Sequence, residues 1–206
     1  MIESKLLAAG LRTIAGVDEA GRGACAGPLV VAAVVLKDPH SKDLAEVRDS
    51  KELSPSQRES LFDVVKGNAK YLSIIEISAE EIDQIGLHRA NLEGMRRAIS
   101  ALGEEPQYIL TDGYEIEGLS SPSLAVWKGD QVAISISAAS ILAKVYRDRL
   151  MQILDKEYPG YGLALHKGYV TRVHQQALET IGVSRIHRRS YANIAALLNT
   201  ESYSQS

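Results

Sequence analysis

The sequence predicts an α/β fold: a mixed five-stranded sheet flanked by helices, with a helical annexe at its C-terminal end. Three features point there. Apolar runs of strand length alternate with longer stretches of helical periodicity. Serine caps, prolines and glycines mark helix starts and stops. The order strand-strand-helix-strand-helix-strand-strand-helix needs both hairpin and crossover connections, and only a mixed sheet supplies both.

Taken in order, residues 1–12 allow a short helix outside the sheet. Residues 13–18 and 28–36 are the first two strands, joined by a tight glycine-rich loop. A polar loop over 37–53 contains Asp49-Ser50-Lys51. Ser54-Pro55-Ser56-Gln57 then opens a helix, with a serine N-cap, proline at the first helical position and glutamine at N3. Residues 70–77 form the third strand. Ser78-Ala79-Glu80-Glu81 is a second capping box, and helical periodicity runs from it to about Leu102, broken near Gly86. Tyr108–Gly113 and Ser123–Trp127 are the fourth and fifth strands. A long helix spans Ile134 to about Glu157, and its start, Ser135–Ser140, is unusually rich in small residues, which allow close approach to a sheet. Helices near 168–181 and 190–198 make the annexe. Thr200–Ser206 is a polar tail, expected to be disordered. No internal repeat or linker interrupts residues 1–199, so they read as a single domain whose helical part covers about 160–199.

At 206 residues the chain can bury a sizeable core. It has no apolar run of membrane-spanning length and no secretory signal. Its one cysteine, Cys25, excludes an internal disulfide and a cysteine-based zinc cluster, and reads as a small buried packing residue. A cytoplasmic protein without membrane association is expected. A net charge of −3 excludes a generic basic nucleic-acid binder. The charge is uneven, however. Between Gly160 and Tyr191 stand Lys167, Arg172, Arg185, Arg188 and Arg189 against Glu179 alone. A basic end beside an acidic cleft suits a polyanionic substrate; a solvated charged face is the plainer alternative.

The stretch Ile14–Gly23 carries the chemistry. An apolar strand ends in Asp18-Glu19, and the turn Gly21-Arg22-Gly23 follows. Successive strand side chains point to opposite faces. For both carboxylates to serve one site, the chain must leave strand geometry or one side chain must reach around. Paired carboxylates repel, and hard oxygen ligands suit Mg²⁺ or Mn²⁺; the pair alone reads equally as a solvated acidic turn. The glycines give bare backbone that another molecule can approach closely. They do not make a dinucleotide fingerprint, because Gly21, Gly23 and Gly27 are spaced one residue too long and a strand-like run follows. Asp112 repeats the pattern of Asp18, a carboxylate ending an apolar strand before a turn. If the two strands are neighbours the carboxylates converge, and Glu19 and Asp130 complete a set of four. Such a set can hold two divalent ions about 4 Å apart, for an in-line phosphoryl displacement.

Asp18-Glu19-Ala20-Gly21-Arg22-Gly23 with Ala26-Gly27-Pro28 resembles the signature of bacterial type 2 ribonuclease H, the ribonuclease HII family. The likeness covers roughly residues 13–198. It implies a ribonuclease H-like fold with catalytic, metal-binding Asp18, Glu19, Asp112 and Asp130. Asp148 is the rival for the fourth place, its alternative being a helical partner for a nearby arginine. The resemblance further implies that Gly21, Arg22 and Gly23 read the ribose 2′-hydroxyl through their backbone. Tyr169, in His166-Lys167-Gly168-Tyr169, would stack on a sugar at the RNA–DNA junction, and Lys51 and Lys144 would contact phosphates. Arg188 and Arg189 take a backbone-contact or structural role. Ala24 stands where the family commonly has proline, which is expected to loosen the turn.

The activity implied is a Mg²⁺- or Mn²⁺-dependent endoribonuclease acting on RNA–DNA hybrids and on single ribonucleotides embedded in duplex DNA. It would cut on the 5′ side and leave 3′-hydroxyl and 5′-phosphate ends, in ribonucleotide removal and primer clearance. A type 3 ribonuclease H is the near alternative, disfavoured by the Gly-Arg-Gly turn and by so short a segment before the first strand. A non-catalytic hybrid-binding protein would lack the carboxylates. A monomer is expected. The tail lacks the glutamine, aliphatic and paired-aromatic pattern of sliding-clamp ligands, so no tether is expected by that route.

Overall fold

Strands β1 (Ile14–Ala20), β2 (Leu29–Leu36), β3 (Ala69–Ile77), β4 (Tyr108–Asp112) and β5 (Ser123–Val126) form a five-stranded sheet in the order β3-β2-β1-β4-β5. The structure is a computed structural model and describes residues 1–129 and 132–204. β1 runs antiparallel to β2 and parallel to β4, and β4 runs parallel to β5. The sheet is therefore mixed, and every expected strand is present within two residues of its expected ends. Every residue of β2 is buried, as its unbroken apolar run requires of a strand covered on both faces.

Helix starts follow local chemistry. In α2 (Pro55–Asn68), Ser54 Oγ accepts from Gln57 N–H at 3.3 Å and Gln57 Oε1 accepts from Ser54 N–H at 2.9 Å, closing the capping box. Ser78 Oγ likewise accepts from Glu81 N–H at the start of α3 (Ala79–Ile85). Gly86, at φ +83°, separates α3 from α4 (Leu87–Ser100), so the break falls where the glycine predicted it. The N-terminal helix α1 (Ile2–Ala8) has a role that the sequence did not suggest. Its buried Glu3 accepts from both the N–H (2.9 Å) and the hydroxyl (2.7 Å) of Ser135, in the first turn of α5 (Ile134–Glu157). A carboxylate there satisfies an orphan donor and faces the positive end of the helix dipole.

The start of α5 lies directly on β1. A Cβ built at Gly16 would stand 2.1 Å from the Ser135 carbonyl carbon, so only glycine fits. The small residues Ser135–Ser140 thus serve the close approach expected of them.

The chain divides into two compact units. The first comprises Met1–Ala20, Val30–Ile75 and Leu92–Val145 and holds the centre of the sheet. The second comprises Gly21–Leu29, Glu76–Asn91 and the chain from Tyr146 onward, so it takes in more than the expected annexe of 160–199. Its apolar centre is Cys25, Met151, Tyr161, Leu163, Leu178 and Ile194. Cys25 is fully buried there, as a packing residue should be.

The annexe differs in detail from expectation. Helix α7 (Arg172–Ile181) begins four residues later than expected, capped by Thr171, because Lys167 (φ +54°) and Gly168 (φ +80°) both take left-handed backbone that no helix can pass through. Before them lies a one-turn helix, α6 (Leu163–His166), too short to show periodicity. The last helix, α8 (Ala192–Ser204), continues through Thr200 to Ser204 where disorder was expected, since no glycine or proline stops it. Among the described residues no helix is long and apolar enough to cross a membrane.

Candidate active site

Asp18 and Asp112 reach one place by strand register. β1 and β4 are adjacent and parallel, paired through Val17 and Thr111, and the next residue on each strand is the aspartate. Residues level on neighbouring strands face the same side, so the two carboxylates converge at the C-terminal ends of the strands, where open α/β sheets place their sites. Glu19 raised a geometric question, and the backbone resolves it. β1 stays paired with β2 through Ala20, so the chain does not leave strand geometry. The Glu19 side chain instead reaches round at the strand end. It lines an open depression of about 440 Å³ together with Asp49, Lys51, Asp112, Trp127 and Lys128.

Asp18 is not among the lining residues and is only 6% exposed. Its Oδ1 accepts from the Glu19 N–H at 2.7 Å, and Ser140 on α5 donates to the same carboxyl. Ser140 Oγ in turn contacts Ser50 Oγ at 2.8 Å, joining the Asp49-Ser50-Lys51 turn to the carboxylates. Burial pushes the Asp18 carboxyl well above its ordinary range, and the charges of Glu19 and then Asp112 push it further the same way. Asp112 Oδ1 accepts from Gly129 N–H at 2.9 Å, which pins the turn after β5. Asp49 caps its own turn by accepting from Lys51 N–H at 2.9 Å. Lys144 is half-buried on α5, one turn beyond Ser140. Asp130 lies outside the described residues. Asp148 belongs to the second unit, where its charge acts on Arg147.

Among the described residues no three Asp, Glu, His or Cys side chains form a metal-ligand group by themselves. The chemistry of the donors nevertheless fits a divalent cation. Asp18, Glu19 and Asp112 offer only hard oxygen atoms, and a cation between them would relieve the repulsion that, after burial, holds the Asp18 pKa up.

The Gly21-Arg22-Gly23 turn and Tyr169 meet in the second unit. Gly21 adopts φ +88°, and a Cβ there would fall 1.8 Å from Arg147 Nε, so glycine is required twice over. Arg147 and Arg188 are fully buried; Arg147 spends its donors on backbone carbonyls, and Arg188 on backbone carbonyls and the Tyr191 hydroxyl, at 2.8 Å. Arg147 donates to Pro28, Lys167 and Ala26 at 2.9, 2.9 and 3.1 Å. Arg188 donates to Gly27 and, at 3.1 Å, to the carbonyl of Arg22. Burial pulls Arg147 down to about 10, still charged at neutral pH. Ala24 N–H donates to Gly21 C=O at 3.2 Å, a bond that proline could not make. Arg22 and Gly23 stay exposed, and a Cβ at Gly23 would lie 3.7 Å from the Tyr169 ring, itself 38% exposed.

Behind Tyr169 runs a buried histidine chain. Ser184 N–H donates to His187 Nδ1 (3.1 Å), His187 Nε2 lies 3.1 Å from His174 Nε2, and His174 Nδ1 donates to the Tyr169 carbonyl (3.0 Å). Those partners fix the tautomers: His187 carries its proton on Nε2 and His174 on Nδ1. His166 stacks on His174 at 4.4 Å. Burial, then the neighbouring His174, takes His187 down to about 4.

Sequence reasoning missed Ser140, Asp49, Arg147 and the histidines. Ser140 was visible only as a small residue. Asp49 was visible only as part of a polar turn, which it caps locally, and the partners of Arg147 come from distant segments, of which spacing along the chain carries no trace.

The model of one protein family, ribonuclease HII, matches residues 15–194. The chain belongs to the ribonuclease HII family. The ribonuclease HII of Cutibacterium acnes is 52% identical over 192 residues, which cover 93% of this chain and 94% of that protein. The solved ribonuclease H2 from Pyrococcus horikoshii OT3 superposes with a TM-score of 0.79 at 28% identity, over 94% of this chain and all of that one. The ribonuclease HII of Archaeoglobus fulgidus, solved as a complex with PCNA, gives 0.73 at 26% identity, over 87% and 95%. The fold is thus of the ribonuclease H type. Membership of the ribonuclease HII family makes the protein a metal-dependent endoribonuclease with ribonuclease H activity on RNA–DNA hybrids.

Proposed function

We propose that this activity extends to single ribonucleotides embedded in duplex DNA, cut on the 5′ side to leave 3′-hydroxyl and 5′-phosphate ends. The observation that carries the reading is the convergence of Asp18 and Asp112 at adjacent parallel strand ends, with Glu19 in the same depression. These three with Asp130 are the proposed holders of two divalent ions, Mg²⁺ or Mn²⁺. Such ions, when bound, supply an activated water and neutralise the leaving oxygen. The chain's own part is positioning. Ser140 and the Glu19 N–H orient Asp18, and Gly129 N–H orients Asp112, before any substrate arrives.

Lys51, in the wall of the depression, and Lys144 are proposed phosphate contacts. Gly21, Arg22 and Gly23 read the ribose through backbone groups, and Tyr169 packs on the sugar beside them. The buried arginines support this, because they hold the turn from behind and leave Arg22 and Gly23 open. The protein would act as a cytoplasmic monomer in ribonucleotide removal and primer clearance. Residues 200–206 carry no clamp-type motif, so no tether through them is proposed.

The test is cleavage of a DNA duplex holding one ribonucleotide, in Mg²⁺, Mn²⁺ or chelator, with Asp112→Asn beside the unmodified protein. One cut 5′ to the ribonucleotide, lost in chelator and in the variant, is expected. Activity on long hybrids without that cut would remove the ribonucleotide assignment of Gly21-Arg22-Gly23 and Tyr169. Tight hybrid binding without any cleavage would make the protein a binder rather than an enzyme.

A further inference from the structure

Trp127 is the chain's one tryptophan, and it is 83% exposed, more than any other large apolar side chain among the described residues. Folding leaves unburied the side chain with the most apolar area to gain from burial. Its position gives that exposure a use. Trp127 lines the depression that also holds Glu19 and Asp112, with Lys51 and Lys128 beside it.

The turn that carries it is held, not loose. Gly113 N–H donates to Val126 C=O at 3.0 Å, and Gly129 N–H donates to Asp112 Oδ1 at 2.9 Å, so hydrogen bonds brace the residues on both sides of Trp127. Lys128 takes left-handed backbone (φ +55°), an uncommon conformation for a residue with a side chain. One of these braces is the proposed catalytic carboxylate itself. The turn that presents the indole is therefore tied to the carboxylate site. It stands beside two cations that attract a phosphate backbone and gives that backbone's sugars a flat apolar face.

We propose that Trp127 is a substrate-binding residue, packing its indole against a sugar of the nucleic-acid strand next to the phosphate that is cut. In a duplex the bases are stacked on one another, whereas the sugar faces stay open to an aromatic ring. The inference rests on the nucleic-acid reading above and adds a contact to it. Contacts of this kind are sequence-tolerant, which suits an enzyme that reads sugar identity rather than base identity.

Because the chain has a single tryptophan, its emission reports this contact directly. The experiment titrates the full-length protein in chelator with a short RNA–DNA hybrid carrying a fluorescent end label. Indole emission and label anisotropy are followed together, and hybrid-cleavage kinetics are then run in Mg²⁺ for the unmodified protein, Trp127→Ala and Trp127→Phe. Emission should shift to shorter wavelength, as the indole leaves water, in step with the anisotropy. Trp127→Ala should raise KM about fivefold or more, as the loss of a large apolar contact gives, with kcat within twofold, and Trp127→Phe should recover most of the loss. An exposed side chain leaves folding intact, so melting temperatures should match. A rise in anisotropy with unchanged emission, or an unchanged KM in Trp127→Ala, would overturn the inference and leave the substrate reading standing. No rise in anisotropy with either hybrid or ribonucleotide-containing duplex would overturn both.

Discussion

Asp18 is a carboxylate that folding places where it is least stable as an anion, buried and next to Glu19 and Asp112. The sign of the consequence is fixed. A carboxyl whose pKa is raised in the folded state weakens that state at every pH where the unfolded chain is ionised. Asp18→Asn keeps the Oδ1 that accepts from Glu19 N–H and removes the charge. In chelator the variant should therefore melt about 2–4 °C higher, the shift that roughly 1 kcal/mol produces in a chain of this size, while hybrid cleavage is lost. A lower melting temperature would show that the Asp18 anion is stabilised by groups outside those described. Both aspartates could be read from the sequence because each ends an apolar strand before a turn. Ser140, which orients Asp18, could not. A serine in a small-residue run looks like packing until the helix is seated on the sheet.

The contact between α5 and β1 sets the site at the scale of elements, because it brings Ser140 over Asp18. Both sides of that contact are small: Gly16 on the strand, and Ser135 with its neighbours on the helix. Gly16→Ala would push a methyl into main-chain atoms of a helix that cannot yield locally. The expected cost is at the top of the overpacking range, about 3 kcal/mol, seen as a lower urea midpoint with an unchanged slope. Ser54→Ala, which removes one side of the α2 capping box, should cost only about 1 kcal/mol by the same measurement. The ranking is the test: a Gly16→Ala midpoint above that of Ser54→Ala would mean that the helix shifts freely. The strands and α5 were legible because burial on a sheet or under a helix imposes a period. The one-turn α6 and the late start of α7 were not, since left-handed backbone at Lys167 overrides a pattern that otherwise reads as helical.

For the molecule as a whole, buried polar ties add to the apolar cores, and this predicts its response to acid. In the second unit the segment Gly21–Leu29 and the Tyr169 loop are held by its apolar centre and also by buried arginines and the Ser184–His187–His174 chain. His187 is held neutral, at about 4, and its Nδ1 accepts from Ser184 N–H, so protonation there would set one donor against another. The folded value is depressed from the usual 6.5. The stabilisation is thus complete above about 6.5 and is lost as pH falls through the window down to about 4. Between pH 7.5 and 5 the linkage amounts to roughly 2 kcal/mol. Asp18 titrates in the opposite sense, gaining stability as it protonates, so the pH dependence of the unmodified protein mixes the two. Comparison with His187→Gln separates them. The variant keeps a donor toward His174 and removes the titration. It should be less stable at pH 7.5, but its urea midpoint should change much less than that of the unmodified protein between pH 7.5 and 5. Parallel pH profiles for the two proteins would mean that His187 does not carry the acid response, and that some other buried group in the chain does.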